Sequence, residues 1–389
     1  MSRSDIYFMP LGGGQRVGAS CYFLRLGSSN LILDAGTGME DTVIFEPDTY
    51  SLITSPFIQS LNQINQIYIS HAHSDHVGYL PKLLKSAQMC SVYMTEMTSI
   101  LSEYQLYDRN YIHTKAYKGK EKERLAMKYL LQQTVTVSYM QTIQCGQYQV
   151  TFLPAGHIPG ATMLLFEYQN RKILYTGDFS LTHTPLTDGC MIPEYEGIDT
   201  IILCGLHAKH PHYRKKSNTI YKTIRDIFEW VKKRRKPIFC RVQQLSKGIE
   251  FLKLLNKWNE TNNLKVDIYI DDSILKIVKK IEQLSVPIMT EYNHPVHDRI
   301  INQPHILISA KNNYNFSLEY EVVKIDFSLH EDFSGMEEFI KRINPKLAVF
   351  VHCAPEYEQG EDTIEQRLMT DIECRTQCIF AEEKEIYKL

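Results

Sequence analysis

The chain has 389 residues, 43% of them hydrophobic and 23% charged, with a formal net charge of −2. That balance excludes a disordered or fibrous protein. It also excludes a global basic field, so an anionic substrate would have to be held by a local patch.

The length suits two domains, or one large domain carrying an insertion. The N-terminal stretch MSRSDIYFMPLGGG lacks the apolar core of a signal peptide, and no segment is long enough to span a bilayer. The nine cysteines, from Cys21 to Cys378, form no CxxC pair; Cys374 and Cys378 are four apart but lack two further ligands. They read as reduced thiols in a reducing compartment. The expectation is a soluble cytoplasmic protein without a membrane partner.

Residues 20–36 are two β-rich runs split by Gly-Ser-Ser-Asn, a hairpin signal. QIYIS (66–70) is a short strand, and VGYLPKLLKSA after it starts a helix. The segment between them, HAHSDH, therefore sits on a strand-to-helix loop at the carboxyl end of a strand. Residues 95–133 read as helical. QYQVTFLPAGH (147–157) and RKILYTGDFS (171–180) are strands ending in polar residues. From about 205 the pattern changes. IDTIILCG is a strand, 218–237 an amphipathic helix stopped by proline, and strands and helices then alternate through SILKIVKKIEQL. That alternation predicts a small parallel-sheet module, inserted into the first domain. EVVKIDFSLH, the helix SGMEEFIKRI and the strand KLAVFVHC then restore the earlier pattern.

Polar residues recur at strand ends: Asp34, the block His71, His73, Asp75 and His76, then His157, Asp178, His330 and His352. Neutral imidazole and carboxylate suit zinc and similar divalent ions. His71 and His73, two apart on an extended loop, can chelate one ion, while Asp75 and His76 point elsewhere and can hold a second. A carboxylate able to bridge ions about 3.5–4 Å apart completes such a site, and Asp178 after Gly177 can do that. Single histidines such as His113 or His183 read as surface or satisfied core residues. No cysteine accompanies the block, which argues against a closed structural zinc site.

HAHSDH after a strand, GH at 156–157 and TGD at 176–178 resemble the metallo-β-lactamase superfamily. SLHEDFSGMEEFIKRINPKLAVFVHC (328–353) resembles the C-terminal stretch of its β-CASP nuclease family, and residues 10–36 fit that family's opening strands. The resemblance implies an α/β fold: an αββα sandwich, formed by 1–205 and 323–389, with a smaller α/β β-CASP-like lid inserted at 206–322. It implies that His71, His73 and His157 hold one metal and Asp75, His76 and His352 the other. Asp178 would bridge them, and Asp34 would fix the histidines' tautomers from behind. His330 would stand beside the scissile phosphate and aid the leaving group, with water or hydroxide between the metals as nucleophile. The implied cofactors are two divalent ions, Zn2+ by default, with Mn2+ suited to the same set.

The chain also departs from the family. Where the family has ESTYG, it reads CGLHAKH, with Cys204 at the position of the glutamate that contacts the catalytic histidine. His207, His210 or His212 are alternative partners. GRAQE becomes SKGIE, and the glycine-rich stretch late in the insertion becomes ISAKNNYNF. Two basic runs, YRKK (213–216) and KKRRK (232–236), read as phosphate contacts or as solvated surface. No further domain for RNA handling is expected after His352. The leading expectation is a two-metal phosphodiesterase or nuclease acting on RNA or single-stranded nucleic acid. Two alternatives stay open: a metallohydrolase of a small ester, lactone or phosphodiester, and a weakly active partner subunit of a nuclease complex. Either a homo-oligomer or a protein partner is compatible with the sequence.

Overall fold

The computed structural model describes residues 5–41, 43–113, 134–192, 197–211, 217–243, 245–284, 286–296, 303–311, 320–354, 363–371, 374 and 376–389. By contact clustering the chain divides into two compact units. The first comprises residues 1–182, 189–214 and 330–389, the second 183–188 and 215–329.

Among the described residues, the first unit carries two seven-stranded sheets. One runs, edge to edge, Tyr387–Lys388, Ile6–Gly12, Cys21–Leu26, Ser29–Leu33, Gln66–Tyr68, Ser91–Met94 and Val135–Thr136. The other runs Gln377–Phe380, Leu347–Val351, Thr200–Cys204, Arg171–Tyr175, Thr162–Tyr168, Tyr148–Pro154 and Thr142–Cys145. Side chains alternate across a strand, so the central strands of the first sheet serve two cores. Phe8, Tyr22, Leu24, Leu31, Leu33 and Tyr68 join Phe152, Phe166, Ile173, Tyr175, Ile202 and Val349 of the other sheet in one buried cluster. Met9, Leu11, Cys21, Phe23, Ile32 and Ile67 face the opposite way, against Leu52, Leu80, Leu83 and Leu106 from helices. A register shift between Pro10 and Gly12 bends the first strand where it nears the site.

Several sequence expectations shift at their edges. The hairpin turn is tighter than Gly-Ser-Ser-Asn: Leu26 already pairs with Ser29, so the turn is Gly27-Ser28, and Gly27 supplies the positive φ (+61°). Of QIYIS, Gln66–Tyr68 is strand and the Ile69 amide still donates to the Tyr93 carbonyl at 2.9 Å, so Ser70 is the first residue past the sheet and stands at the site. The helix after it begins earlier and in two pieces, Ser74–Val77 and Leu80–Ser86. Of the helix read over 95–133, Glu96–His113 is seen, and 114–133 lie outside the described residues.

Among the described residues, the second unit has five strands, Asn293–Pro295, Ile268–Ile270, Ile306–Ser309, Ile238–Arg241 and Glu321–Lys324, in that order and all parallel. Helices Ser217–Arg234, Lys247–Thr261 and Asp272–Gln283 connect them. Asp271 caps the last, accepting from the amides of Ser273 and Ile274 at 2.8 and 3.0 Å, and also from Ser309 Oγ and the Ala310 amide. No helix among the described residues is long and apolar enough to cross a membrane.

Glu250, in the first turn of Lys247–Thr261, is 4% exposed, and its Oε1 has no hydrogen-bond partner among the described residues. Burial pushes its carboxyl up to about 7, against a hydrogen bond from Thr184 that lowers it. An acid whose folded pKa lies above its unfolded one costs stability as pH rises from about 4.3 to about 7, and the cost is constant above that. Urea unfolding at a series of pH values should therefore show stability of the second unit falling over this window by on the order of 3 kcal/mol. Glu250→Gln should flatten that slope and be the more stable protein above pH 7. An equal slope in both proteins would contradict the buried, neutral carboxyl.

Candidate metal centre

The HAHSDH loop is pinned by close backbone approach. A Cβ on Gly36 would overlap the Asp75 carbonyl, and the Ser20 amide donates to that same carbonyl at 2.9 Å. Gly177 has φ +52°, and a Cβ there would stand 2.6 Å from the Ser70 Cβ. Only glycine lets the strand end turn so that Asp178 points inward beside the loop. Asp34 and His352 also adopt left-handed backbone, with φ of +59° and +55°. Such strain is held by its surroundings: the His352 and Cys353 amides donate to the Gly13 and Gly14 carbonyls at 2.6 and 3.1 Å.

The structure brings the candidate residues into three donor groups, each with ligand atoms within 4.8 Å of one another: His71, His73, His157 and Asp178; Asp75, His76 and His352; and Asp178, Cys204 and His330. His73 Nδ1 lies 3.1 Å from both His71 Nε2 and His157 Nε2. Asp178 Oδ2 lies 3.6 Å from His71 Nε2, 3.8 Å from His157 Nε2, 3.4 Å from His76 Nε2 and 3.5 Å from His330 Nδ1. The carboxylate thus belongs to the first and third groups and reaches His76 of the second.

Asp34 works from behind. Its carboxylate accepts from the Ser70 amide (2.6 Å), Ser70 Oγ (2.7 Å), Tyr175 OH (2.5 Å) and His76 Nδ1 (2.8 Å). The last bond commits Nδ1 of His76 and turns Nε2 inward. Ser70 Oγ is also 3.0 Å from His71 Nδ1, and Ser20 Oγ is 2.9 Å from His352 Nδ1, so three rings are oriented through their outer nitrogens. Glu331 ties His330 to the Asp178 strand end: its amide donates to the Phe179 carbonyl at 2.9 Å, and its Oε2 accepts from the Leu181 amide at 2.5 Å.

These supporting residues escaped sequence reading. Ser70 is signalled only by standing next to His71 at a strand end, and Tyr175 only by preceding TGD. Nothing marks Ser20. His207 and His210 belong to none of the three donor groups among the described residues. His212 and YRKK lie outside the described residues, and so do 312–316 of ISAKNNYNF. The KKRRK run is exposed. Lys233 pairs with Glu229 at 2.8 Å, and Arg234 lies 5.6 Å from the Trp230 ring centroid.

Protonation follows the packing. Burial would raise Asp178, but His76, His330 and His352 outweigh it and hold its carboxyl well below the usual range. Asp75 is lowered in the same way, His76, His352 and His73 overcoming burial. Burial pushes His71 and His330 well down, and His73 down, which keeps these rings in the form that offers a lone pair. His76 goes the other way: Asp178 and Asp34 overcome burial and raise it well above the ordinary value. Burial, then the Asp178 charge, push the Cys204 thiol well up.

Divalent ions fit this arrangement. Asp178 is 1% exposed, and neither carboxylate oxygen meets hydrogen-bond geometry with any described residue. A buried carboxylate in that condition costs several kcal/mol unless a cation sits on it. The donors around it are the imidazole and carboxylate groups that bind divalent metals.

Comparison with known proteins agrees with this picture. The chain is 26% identical over 74% of its length to probable RNase MJ4 of Methanocaldococcus jannaschii. It is 24% identical over 82% to RNase aCSPSF2 of Saccharolobus solfataricus, and 25% identical over 79% to cleavage and polyadenylation specificity factor 73 of Drosophila melanogaster. These matches take in 62%, 59% and 42% of the relatives, so the chain spans about half the length of the curated relatives it matches. A crystal structure of a protein of unknown function from Enterococcus faecalis superimposes with a TM-score of 0.65 over 99% of this chain and all of that one, at 12% identity, and shares its fold. Fold, donor groups and relatives together define a β-CASP metallo-β-lactamase protein. The family described as anti-Pycsar protein Apyc1 matches residues 15–210, half of the chain, and the chain belongs to that family.

Asp34→Ala should leave the Ser70, Tyr175 and His76 donors buried without their acceptor. Stability should fall by roughly 3 kcal/mol or more in denaturant unfolding. Zinc affinity, measured by calorimetry on metal-free protein, should weaken by about 10–100-fold. Unchanged zinc affinity in a folded variant would mean that Asp34 does not orient the histidines.

Proposed function

We propose that this chain is a two-metal-dependent phosphodiesterase that cleaves RNA or single-stranded nucleic acid. The observation that carries the proposal is the buried Asp178 carboxylate lying between two donor groups that each hold at least two imidazole or carboxylate ligands of their own. In this reading His71, His73 and His157 hold one ion, Asp75, His76 and His352 the other, and Asp178 bridges. Zinc is the expected metal, with manganese suited to the same donors. Two divalent ions held there would lower the pKa of a water between them and offset charge on the phosphoryl oxygens.

The chain's own residues do the rest. Asp34 and Ser70 keep the His76 and His71 rings aimed inward, and Ser20 does the same for His352. His330, 21% exposed at its side chain, holds Nδ1 3.5 Å from Asp178, and a proton taken up on this ring would be available to a leaving oxygen. The names of the relatives, a probable RNase and an RNase, support nucleic acid as substrate. We read the facing sheets as the αββα sandwich, and the unit of 183–188 and 215–329 as the inserted β-CASP-like lid domain anticipated at 206–322. All nine cysteines are thiols, as a cytoplasmic setting requires.

A second reading has its own support. The family matching residues 15–210 is described by an anti-Pycsar protein and not by a ribonuclease, and Cys204 replaces the glutamate expected beside His330. Both favour a metallohydrolase of a small phosphodiester.

End-labelled single-stranded RNA, single-stranded DNA and a small phosphodiester ester separate the two. Metal-loaded wild type should cleave RNA, and chelation should abolish the cleavage until zinc or manganese is restored. Asp75→Ala and His330→Ala should each lower the rate by about 10²–10⁴-fold. Ester hydrolysis that needs Asp75 but ignores His330, with both polymers intact, would overturn the nuclease and promote the small-substrate hydrolase.

A further inference from the structure

One member of the third donor group, Cys204, has no task in the two-ion reading. The ligand atoms of the group are one carboxylate oxygen of Asp178, Cys204 Sγ and His330 Nδ1. Cys204 Sγ stands 3.9 Å from His330 Nδ1, and Asp178 Oδ2 stands 3.5 Å from the same nitrogen. Asp178 and Cys204 are buried, and the partly exposed His330 side chain marks the way in from solvent. The carboxylate that aims into the group is 1% exposed and has no hydrogen-bond partner among the described residues.

We propose that Asp178, Cys204 and His330 form a third cation site, built for a thiophilic divalent ion and sharing Asp178 with the metal pair. It rests on the two-ion reading only through that shared carboxylate. One sulfur, one nitrogen and one oxygen lie within 4.8 Å of one another, the donor mix of a zinc-type site. A thiolate donor selects zinc, cadmium or a zinc-like cobalt(II) ion over magnesium or manganese. On binding, the ion bonds to sulfur and the thiol proton leaves to solvent, so charge balances. The Nδ1 lone pair of His330 is then engaged by the ion, so that nitrogen no longer carries a proton for a leaving group. The same protein that works with two zinc ions would therefore be inhibited by excess zinc, and manganese in excess would not inhibit it.

Cobalt(II) gives a readout independent of activity. Metal-free wild type is titrated with Co2+ and followed by absorbance. The two histidine–aspartate positions bring only visible ligand-field bands. The third equivalent should add a near-ultraviolet thiolate-to-cobalt charge-transfer band, absent in Cys204→Ser and intact in Cys353→Ser. Cadmium-113 resonance spectroscopy of the unmodified protein at three equivalents should show one strongly downfield, sulfur-ligated signal, a test that needs no variant to fold. No charge-transfer band at saturating cobalt, or a band that survives Cys204→Ser, would overturn the site and leave Cys204 as a hydrogen-bond partner of His330. A sulfur-ligated ion bound alone, without the other two equivalents, would uphold this site and sink the two-ion reading instead.

Discussion

The strand ends are joined through one buried carboxylate, that of Asp34. It takes a backbone amide and a hydroxyl from Ser70 at the end of one sheet and a hydroxyl from Tyr175 in the facing sheet. It also takes a ring nitrogen from His76 in the loop that follows. Two sheets that share an apolar core are otherwise free to slide, because hydrophobic contact is non-directional. Charge-assisted hydrogen bonds are directional and strong, so this junction fixes the register of one sheet's edge against the other's. The left-handed backbone at Asp34 is the cost of aiming that carboxylate inward, and four donors offset it.

From this junction the site follows by short steps. His76 and His71 are oriented directly or through Ser70, and Gly177 lets Asp178 reach between the donor groups. Six imidazoles and two carboxylates then crowd a volume where ring centroids are 4.1–5.3 Å apart around the circuit from His71 through His76 to His352. Like charges packed so closely would repel, and the molecule resolves this by holding several rings neutral and the carboxylates ionised. His76 is the exception, its ring held charged between Asp178 and Asp34.

How much of this was legible in the sequence depends on how local each requirement is. HAHSDH announced itself because chelation by neighbours on one loop imposes a spacing within six positions. Asp178, His157 and His352 were legible as polar groups following apolar strands, whereas His330, read at the end of EVVKIDFSLH, lies six residues past Glu321–Lys324, a largely exposed strand of the second unit's sheet. The βαβ rhythm after 205 likewise foretold the parallel pairing of the second unit's strands. Ser20 and Tyr175 were not legible. Ser20 meets a residue 332 positions away, and a lone serine has no periodicity to betray that. The turn at Gly27-Ser28 and the break at Gly78-Tyr79 were blurred because glycine and serine mark a turn without fixing its length.

The order of the ligands along the chain has a consequence for synthesis. His71 through Asp178 emerge from the ribosome first, and one donor group is then complete. The other waits for His352, which is held by the Gly13 and Gly14 carbonyls near the opposite end of the chain, with the whole 215–329 unit translated in between. In the two-ion reading proposed above, a nascent chain would pass through a long interval holding donors for one ion only, and a late residue set against an early strand would complete the second set once the intervening unit has been made.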